Sequence, residues 1–292
     1  MRRFLSIVNA TAVELLDDPL SLLVSLSAAS LSVLAPTLHY HQFGECTRMA
    51  RDAGLSAIFL GGAIICITGA VRSIRREFES KTAEMVLSRA VCRHSFLFAK
   101  YFGVLFSYLV FIVTLSSLSL VMITGAKIGG EAAAKIGDVP KMHGISFAIA
   151  TSVVILAPAI AGFMNRFFKS RFVLTANLTL MFLALISLAY KIDFNFILKF
   201  LPVVFTASLP QLFFSATAGA MAVRFKSNAA SLAGVLSAVV FIPFVGSFYL
   251  PEALAKGGSL GWSYALMAFL SIIPWVLASL LTGAALLSRK EV

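Results

Sequence analysis

The chain has 292 residues, of which 59% are hydrophobic and only 13% are charged, and its formal net charge is +11. Soluble globular domains carry roughly 25% charged residues, so this composition excludes an ordinary soluble domain and indicates a membrane protein with several spans. The basic residues are spread through short connections between apolar runs. That pattern is typical of the cytoplasmic loops of membrane proteins, so we expect no nucleic-acid partner.

The first predicted element is an amphipathic helix over residues 1–18. Its apolar residues recur at helical spacing, which favours a helix in the headgroup region of a bilayer. A signal peptide is the competing interpretation, and the acidic residues Glu14, Asp17 and Asp18 argue against it. Asp18 followed by Pro19 is typical of a helix start, because a carboxylate is favoured at the positive end of the helix dipole.

Eight apolar runs follow, each near the roughly 20 residues that cross about 30 Å of hydrocarbon. They cover residues 20–38, 54–71, 101–125, 145–164, 172–190, 201–222, 229–250 and 263–287. The predicted fold is an all-α bundle of membrane helices that forms a single transmembrane domain over residues 1–292. A re-entrant hairpin over 145–190 or 201–250 would leave six full spans, and we favour eight.

The charges of the connections predict the orientation of the spans. With the N-terminus in the cytoplasm, sixteen of the 24 Lys and Arg residues lie on the cytoplasmic side and eight lie outside. Both termini are then cytoplasmic. Two termini on the same side require an even number of spans, and eight is even. The outer connections are short, and the longest of them is a Gly-rich loop predicted over 126–144.

One long charged segment interrupts the apolar runs, between the second and the third. Seven basic residues and three Glu residues interleave over 71–100, so the segment lies in water between two spans. The spacing predicts a docking helix over 72–88, a turn over 89–93 and a lead into the third span over 95–100, with Ser95 as its cap. A solvated loop is the alternative, but three Glu residues and a helical apolar face favour a docking surface.

The rest of the sequence gives predictions about a nucleotide-binding motif, cysteine pairs and metal ligands. The chain lacks the phosphate loop G-x-x-x-x-G-K-[ST], so we do not expect it to hydrolyse ATP itself. Cys46, Cys66 and Cys92 fall in different parts of the predicted topology, so no disulfide is expected and Cys66 is assigned to core packing. His39, His41 and Cys46 share an outer loop and are weak metal candidates, and a polar surface loop is the preferred interpretation.

Small polar residues and glycines lie within the predicted spans. Hydrogen bonds between helices are the expected role of Thr175, Asn177, Thr179, Gln211, Ser215 and Thr217. Gly61, Gly62 and Gly69 are expected to permit close packing of helices.

The charged segment resembles the signature of type-2 ABC exporter permeases. Glu77–Thr82 reads EFESKT, Leu87–Arg93 reads LSRAVCR and Ala99–Gly103 reads AKYFG. In that family an E-x-E-x-x-T run is followed by L-S-[RK]-P-V-S-R and then by G-K-x-x-G, between the second and third spans. Ala90, Cys92 and Ala99 depart from this pattern. The resemblance covers the two ends of the chain well and the middle poorly.

The resemblance implies a function and a set of coupling residues. It implies the permease subunit of an ABC exporter, with residues 1–18 as its elbow helix and 72–100 as the coupling segment that seats in a separate ATPase subunit. The residues assigned to this coupling are Glu77, Glu79, Lys81, Thr82, Glu84, Ser88, Arg89, Arg93 and Lys100. ATP and Mg²⁺ would bind the ATPase, so no cofactor is expected in this chain.

The expected partners are an ABC ATPase subunit, a second permease copy or paralogue, and the lipid bilayer. The implied location is the cytoplasmic membrane of a bacterium or archaeon. A membrane scaffold that binds partners through the same loop, without transport, is the alternative. The residues leave the substrate open among lipids, drugs, peptides, glycans and haem.

Overall fold

The computed structural model describes residues 2–37, 46–80, 93–136, 143–168, 171–189, 194–225, 227–248 and 261–288. Within these ranges the chain is helical and contains no strand, so the predicted all-α class is confirmed. The helices are α1 (Arg2–Leu16), α2 (Pro19–Leu34, followed by a 3-10 turn Ala35–Thr37), α3 (Cys46–Glu79), α4 (Arg93–Ile136), α5 (Gly144–Phe168), α6 (Phe172–Ser187), α7 (Phe194–Ala222), α8 (Ser227–Phe248) and α9 (Trp262–Ser288).

Six helices within the described residues are long and apolar enough to cross a membrane. They are Pro19–Thr37, Cys46–Glu79, His94–Ala133, Gly144–Phe167, Asn195–Ala222 and Trp262–Ser288. A helix covers the body of each of the eight predicted runs. However, α6 has 16 residues, or about 24 Å, which is shorter than the hydrocarbon layer. The bundle is confirmed, and the count of eight spans stays a prediction.

The first two helices begin as the sequence indicates. α1 is the predicted amphipathic helix, and Phe4 packs edge-on against Phe102 of α4 with ring centroids 6.1 Å apart. Asp18 is the N-cap of α2, where its carboxylate accepts a hydrogen bond from the Leu20 N–H at 3.2 Å, and Pro19 occupies the first helical position. The cap satisfies a backbone donor that the helix itself leaves unpaired.

One predicted loop is wrong in its start. The Gly-rich connection was placed at 126–144, but α4 continues to Ile136. Residues 131–135 read EAAAK, and Glu, Ala and Lys are strong helix formers, so they outweigh Gly129 and Gly130. α4 is therefore 44 residues long.

The chain divides into two compact units. The first comprises 1–15, 62–108 and 205–292, and the second comprises 16–61 and 109–204. Residues of α1, α3, α4 and α7 contribute to both units.

In the first unit, α7 packs against α9 through aromatic and aliphatic side chains. Leu209 meets Ala268 and Ile272 in a buried cluster, and the rings of Phe205 and Phe269 lie 5.8 Å apart. Helix α8 is joined to α7 by a hydrogen bond between the hydroxyls of Ser237 and Thr217 at 3.0 Å. This contact confirms the interhelical role predicted for Thr217. At Gly62 an added Cβ would lie 2.6 Å from the ring of Tyr108, so the predicted close packing is also confirmed there.

In the second unit, α5 and α6 pack against each other and against α2. Leu22, Ala161 and Ala176 form a buried cluster where the three helices meet. Thr179 donates a hydrogen bond to the Ala157 carbonyl at 3.2 Å, which confirms its predicted interhelical role. At Gly61 an added Cβ would lie 2.5 Å from the ring of Phe111, so α3 and α4 pack closely in this unit as well.

Hydrogen bonds connect the start of α6 to the residues between α1 and α2. The Asn177 amide donates to the Leu16 carbonyl at 2.8 Å and to the Ser21 hydroxyl at 3.1 Å. The Asp17 carboxylate accepts from the Leu174 N–H at 3.3 Å and lies 3.8 Å from the Arg171 guanidinium. Asn177 is 4% exposed, so its interhelical role, also predicted, is confirmed.

Replacing Asn177 by Leu should lower the free energy of unfolding by about 0.5–1.5 kcal/mol, the scale of interhelical hydrogen bonds in membrane proteins. The Leu16 carbonyl would lose its side-chain donor. Unfolding by SDS in mixed micelles measures the change. Thr175→Val is the control, because the Thr175 hydroxyl bonds carbonyls of its own helix, Arg171 and Phe172. Equal losses for the two variants would contradict the assignment.

Candidate functional site

The charged segment begins as a continuation of α3. The helix runs unbroken from its apolar part to Glu79, so the start of the predicted helix over 72–88 is continuous with the span, and residues 81–88 lie outside the described residues. Within this stretch Ser73 and Ile74 are buried, whereas Arg72 and Arg76 are exposed. Ile74 faces Gly219 of α7, where an added Cβ would lie 3.3 Å from the Ile74 side chain. The apolar face of the segment therefore packs against the bundle.

The segment ends in the first turns of α4. This helix begins at Arg93, so Ser95 lies inside its first turn and the predicted Ser95 cap is wrong. Arg93 belongs to the helix and not to a turn. Phe96 and Leu97 are buried, and His94 and Ser95 are exposed. One face of this start is thus packed into the first unit, and the other is open.

A buried ion pair joins the two ends of the segment. The Lys100 ammonium of α4 contacts the Glu77 carboxylate of α3. The Lys100 side chain is 2% exposed and that of Glu77 is 22% exposed. A buried ammonium is stable only with a nearby opposite charge, because its removal from water is costly. Glu77 provides that charge from a position closer to the surface.

A small cavity of about 10 Å³ lies beside the ion pair. Its lining residues come from α3, α4, α7 and α9, and they are Ala70, Ser73, Ile74, Leu97, Lys100, Tyr101, Val104, Ser215, Gly219 and Leu280. Lys100 is the one charged residue among them. The Tyr101 hydroxyl donates a hydrogen bond to the Leu212 carbonyl of α7 at 3.0 Å. The surroundings of Lys100 are therefore mostly apolar, with a few hydroxyl groups.

The amphipathic helix adds a second charged contact to this region. Glu14 of α1 lies 2.8 Å from the guanidinium of Arg76. The Arg76 side chain is 73% exposed, so this pair contributes little to stability. Closer to the interior, Gly103 of α4 lets α1 approach, since an added Cβ would lie 2.6 Å from Thr11. α1, α3 and α4 therefore meet where the charged segment joins the bundle, around Arg76 and Gly103.

The structure brings together only part of the predicted coupling set. Glu77 and Lys100 are paired, and Glu79 is exposed and lies 3.8 Å from Arg75. Arg93 starts α4. The remaining predicted residues, Lys81, Thr82, Glu84, Ser88 and Arg89, lie outside the described residues. Lys100 is enclosed by the chain, so it does not offer a contact surface to a partner.

Sequence reasoning gave Glu14, Ser73 and Tyr101 no role of their own, although Ser73 lies in the predicted segment and Tyr101 in the AKYFG run. Glu14 stood out only as an acid on an amphipathic helix. Its neighbour Arg76 is 62 residues away along the chain, and no local spacing signals such a contact. Ser73 carries a weak signal, because it lies on the same helical face as Ala70 and Ile74.

The weak metal candidates are not brought together in the described part of the chain. His39 and His41 lie outside it, and Cys46 is buried with its thiol 3.8 Å from the Pro36 carbonyl. Within the described ranges no three His, Cys, Asp or Glu side chains form a group that could hold a metal ion. Cys66 is fully buried, which confirms its assignment to core packing.

Fold and site together define a multi-pass α-helical membrane protein with a charged segment anchored between two long helices. A scan against protein-family models, a search of curated proteins and a search of solved structures each found no match to this chain.

Proposed function

We propose that this chain is the permease subunit of an ABC exporter, with both termini in the cytoplasm. Two permease subunits, either identical or paralogous, form the translocation path. A separate ABC ATPase subunit binds ATP and Mg²⁺ and acts on the segment over 72–100. The missing phosphate loop supports this division of labour, because this chain has no residues of that kind to hold a nucleotide.

The observation that carries the proposal is that both ends of the charged segment continue into candidate membrane spans without a break. α3 has 34 residues and α4 has 44, which correspond to about 51 Å and 66 Å of helix. Both exceed the roughly 30 Å of hydrocarbon, so each extends beyond it. An α-helix transmits displacement along its axis, so movement of the segment by an ATPase would reach the spans directly.

The contacts where the segment joins the bundle support a role in transmitting movement from the ATPase to the spans. Ile74 is packed against α7, and Lys100 is paired with Glu77 inside the first unit. A loop that served only to connect two spans would not require a buried charge pair at its base. The side chains of Arg72, Arg76 and Glu79 are charged and exposed, which favours contact with a partner.

Co-purification with an ATPase tests this function. The chain is co-expressed in turn with each ABC ATPase of its source genome, as wild type and with Glu79 and Glu84 reversed to Lys. We expect one ATPase to bind the wild type and hydrolyse ATP, and the reversal to weaken binding about tenfold or more, as the loss of close charge pairs across an interface does. Glu131→Lys is the control, because Glu131 is an exposed carboxylate near the opposite end of α4.

The outcomes separate the two candidate classes of function. If the complex forms and hydrolyses ATP equally well with the reversed charges, the coupling assignment is wrong. If none of the ATPases binds and the segment instead retains another membrane protein, the scaffold alternative replaces the exporter.

A further inference from the structure

The ends of the charged segment are close to a single buried charge pair. Glu77 precedes the end of α3 by two residues, and Lys100 follows the start of α4 by seven. Between Ser80 and Arg93 the chain spans residues 81–92. The ion pair therefore joins the two helices close to Ser80 and Arg93, where the described parts of the segment end.

This pair differs from the other ion pairs of the same region. Arg75 and Glu79 lie on one helix at 3.8 Å, with the Glu79 side chain 68% exposed. Glu14 and Arg76 join two helices, but Arg76 is largely in solvent. Exposed pairs of these kinds impose little geometry, since water can replace either partner. The Lys100 ammonium is shielded from water, so it depends on Glu77.

Among the described residues that line the cavity beside Lys100, none is acidic. Among the residues that line the adjacent cavity there is no other charged side chain, and Ile74, Leu97 and Leu280 are apolar. A shift of α3 along α4 by one residue would move Glu77 by about 1.5 Å, and a rotation would turn it by about 100°. Either change separates a buried charge from its partner. One relative placement of the two helices is therefore strongly preferred.

We propose that Lys100 is a positioning residue, which with Glu77 fixes the register of α3 against α4 and so holds Ser80 and Arg93, where the described parts of the segment end, in one relative placement. The proposal depends on the proposed function only for the identity of the partner, an ATPase, that the segment binds. It assigns to Lys100 a role inside the chain and no contact with the ATPase. A single buried polar group that specifies register is a known device of helical proteins.

Spin labelling tests the register without an ATPase. Cys46, Cys66 and Cys92 are replaced by Ala. Nitroxide labels are attached at two exposed positions, S80C directly after α3 and H94C in the first turn of α4. The chain alone is placed in lipid nanodiscs, and electron paramagnetic resonance gives the distance distribution between the labels. We expect one narrow distance in the parent. E77Q and K100M should about double its width, because a second register becomes populated.

The charge-swapped variant E77K/K100E and the control E79Q complete the design. Swapping restores the pair in reverse, so it should return the width toward that of the parent. E79Q removes a carboxylate two residues away and leaves the buried pair intact, so its width should equal that of the parent.

Two results would overturn the proposal. One is a distribution in E77Q and K100M as narrow as in the parent. The other is a swapped variant that elutes as folded protein yet stays as broad as E77Q. Because no ATPase takes part, a failure to find an ATPase partner leaves this result unaffected and counts only against the exporter.

Discussion

Glu77→Gln is expected to lower the free energy of unfolding by about 3–5 kcal/mol, the cost of leaving a buried charge without its partner. The variant keeps the shape of the side chain but leaves the Lys100 ammonium, which is 2% exposed, facing a neutral amide. Lys100→Met should cost less, about 1–3 kcal/mol, because the carboxylate left behind is 22% exposed and regains water. SDS titration followed by Trp fluorescence measures both.

The double variant E77Q/K100M distinguishes a paired charge from two independent effects. Removing both charges leaves neither one uncompensated, so the double variant should lie within about 1 kcal/mol of the wild type and be more stable than E77Q alone. E79Q is the matched control, since it removes an exposed carboxylate from the same turn and should change stability by less than about 0.5 kcal/mol. If the effects of E77Q and K100M simply add, the two side chains do not act as a pair.

The sequence predicted which parts of this chain are helices because the signals are local. Each apolar run is near the length of a span, and a helix covers the body of each one. The start of α2 follows from Asp18 and Pro19, two adjacent residues with a known preference for that position. The end of α4 differs from the prediction because the helix-forming run at 131–135 outweighs the two glycines before it.

The placement of Lys100 could not be derived in the same way. By sequence it belongs to a charged segment, and such residues are mostly exposed. Its burial depends on α3, α7 and α9, which contribute residues more than 20 positions away. The family resemblance assigns both Glu77 and Lys100 to coupling, and that assignment stays a prediction. The structure shows that these two residues form a buried ion pair with each other.

The region around Lys100 also depends on a close approach of α9. At Gly283 an added Cβ would lie 2.9 Å from the Ala220 Cα of α7 and 3.2 Å from the Leu97 side chain of α4. Leu97 and Leu280, one turn before Gly283, both line the cavity beside the ion pair. The Ala220 contact is with backbone, which cannot rotate away, so even one methyl group would push α9 outward.

Gly283→Ala should therefore destabilise the protein by about 1–3 kcal/mol, the usual cost of overpacking a filled interior. Gly130→Ala makes the same chemical change in α4, where an added Cβ meets nothing within 4 Å. There the better helix propensity of Ala should leave stability unchanged or raise it by up to about 1 kcal/mol.

Both Trp residues, Trp262 and Trp275, lie in α9, so their fluorescence during SDS titration reports directly on this helix. Opposite signs for the two variants would show that packing of α9 against α7 and α4 encloses the Lys100 pair. Equal and small effects would mean that α9 accommodates the methyl group, which would contradict tight packing at Gly283.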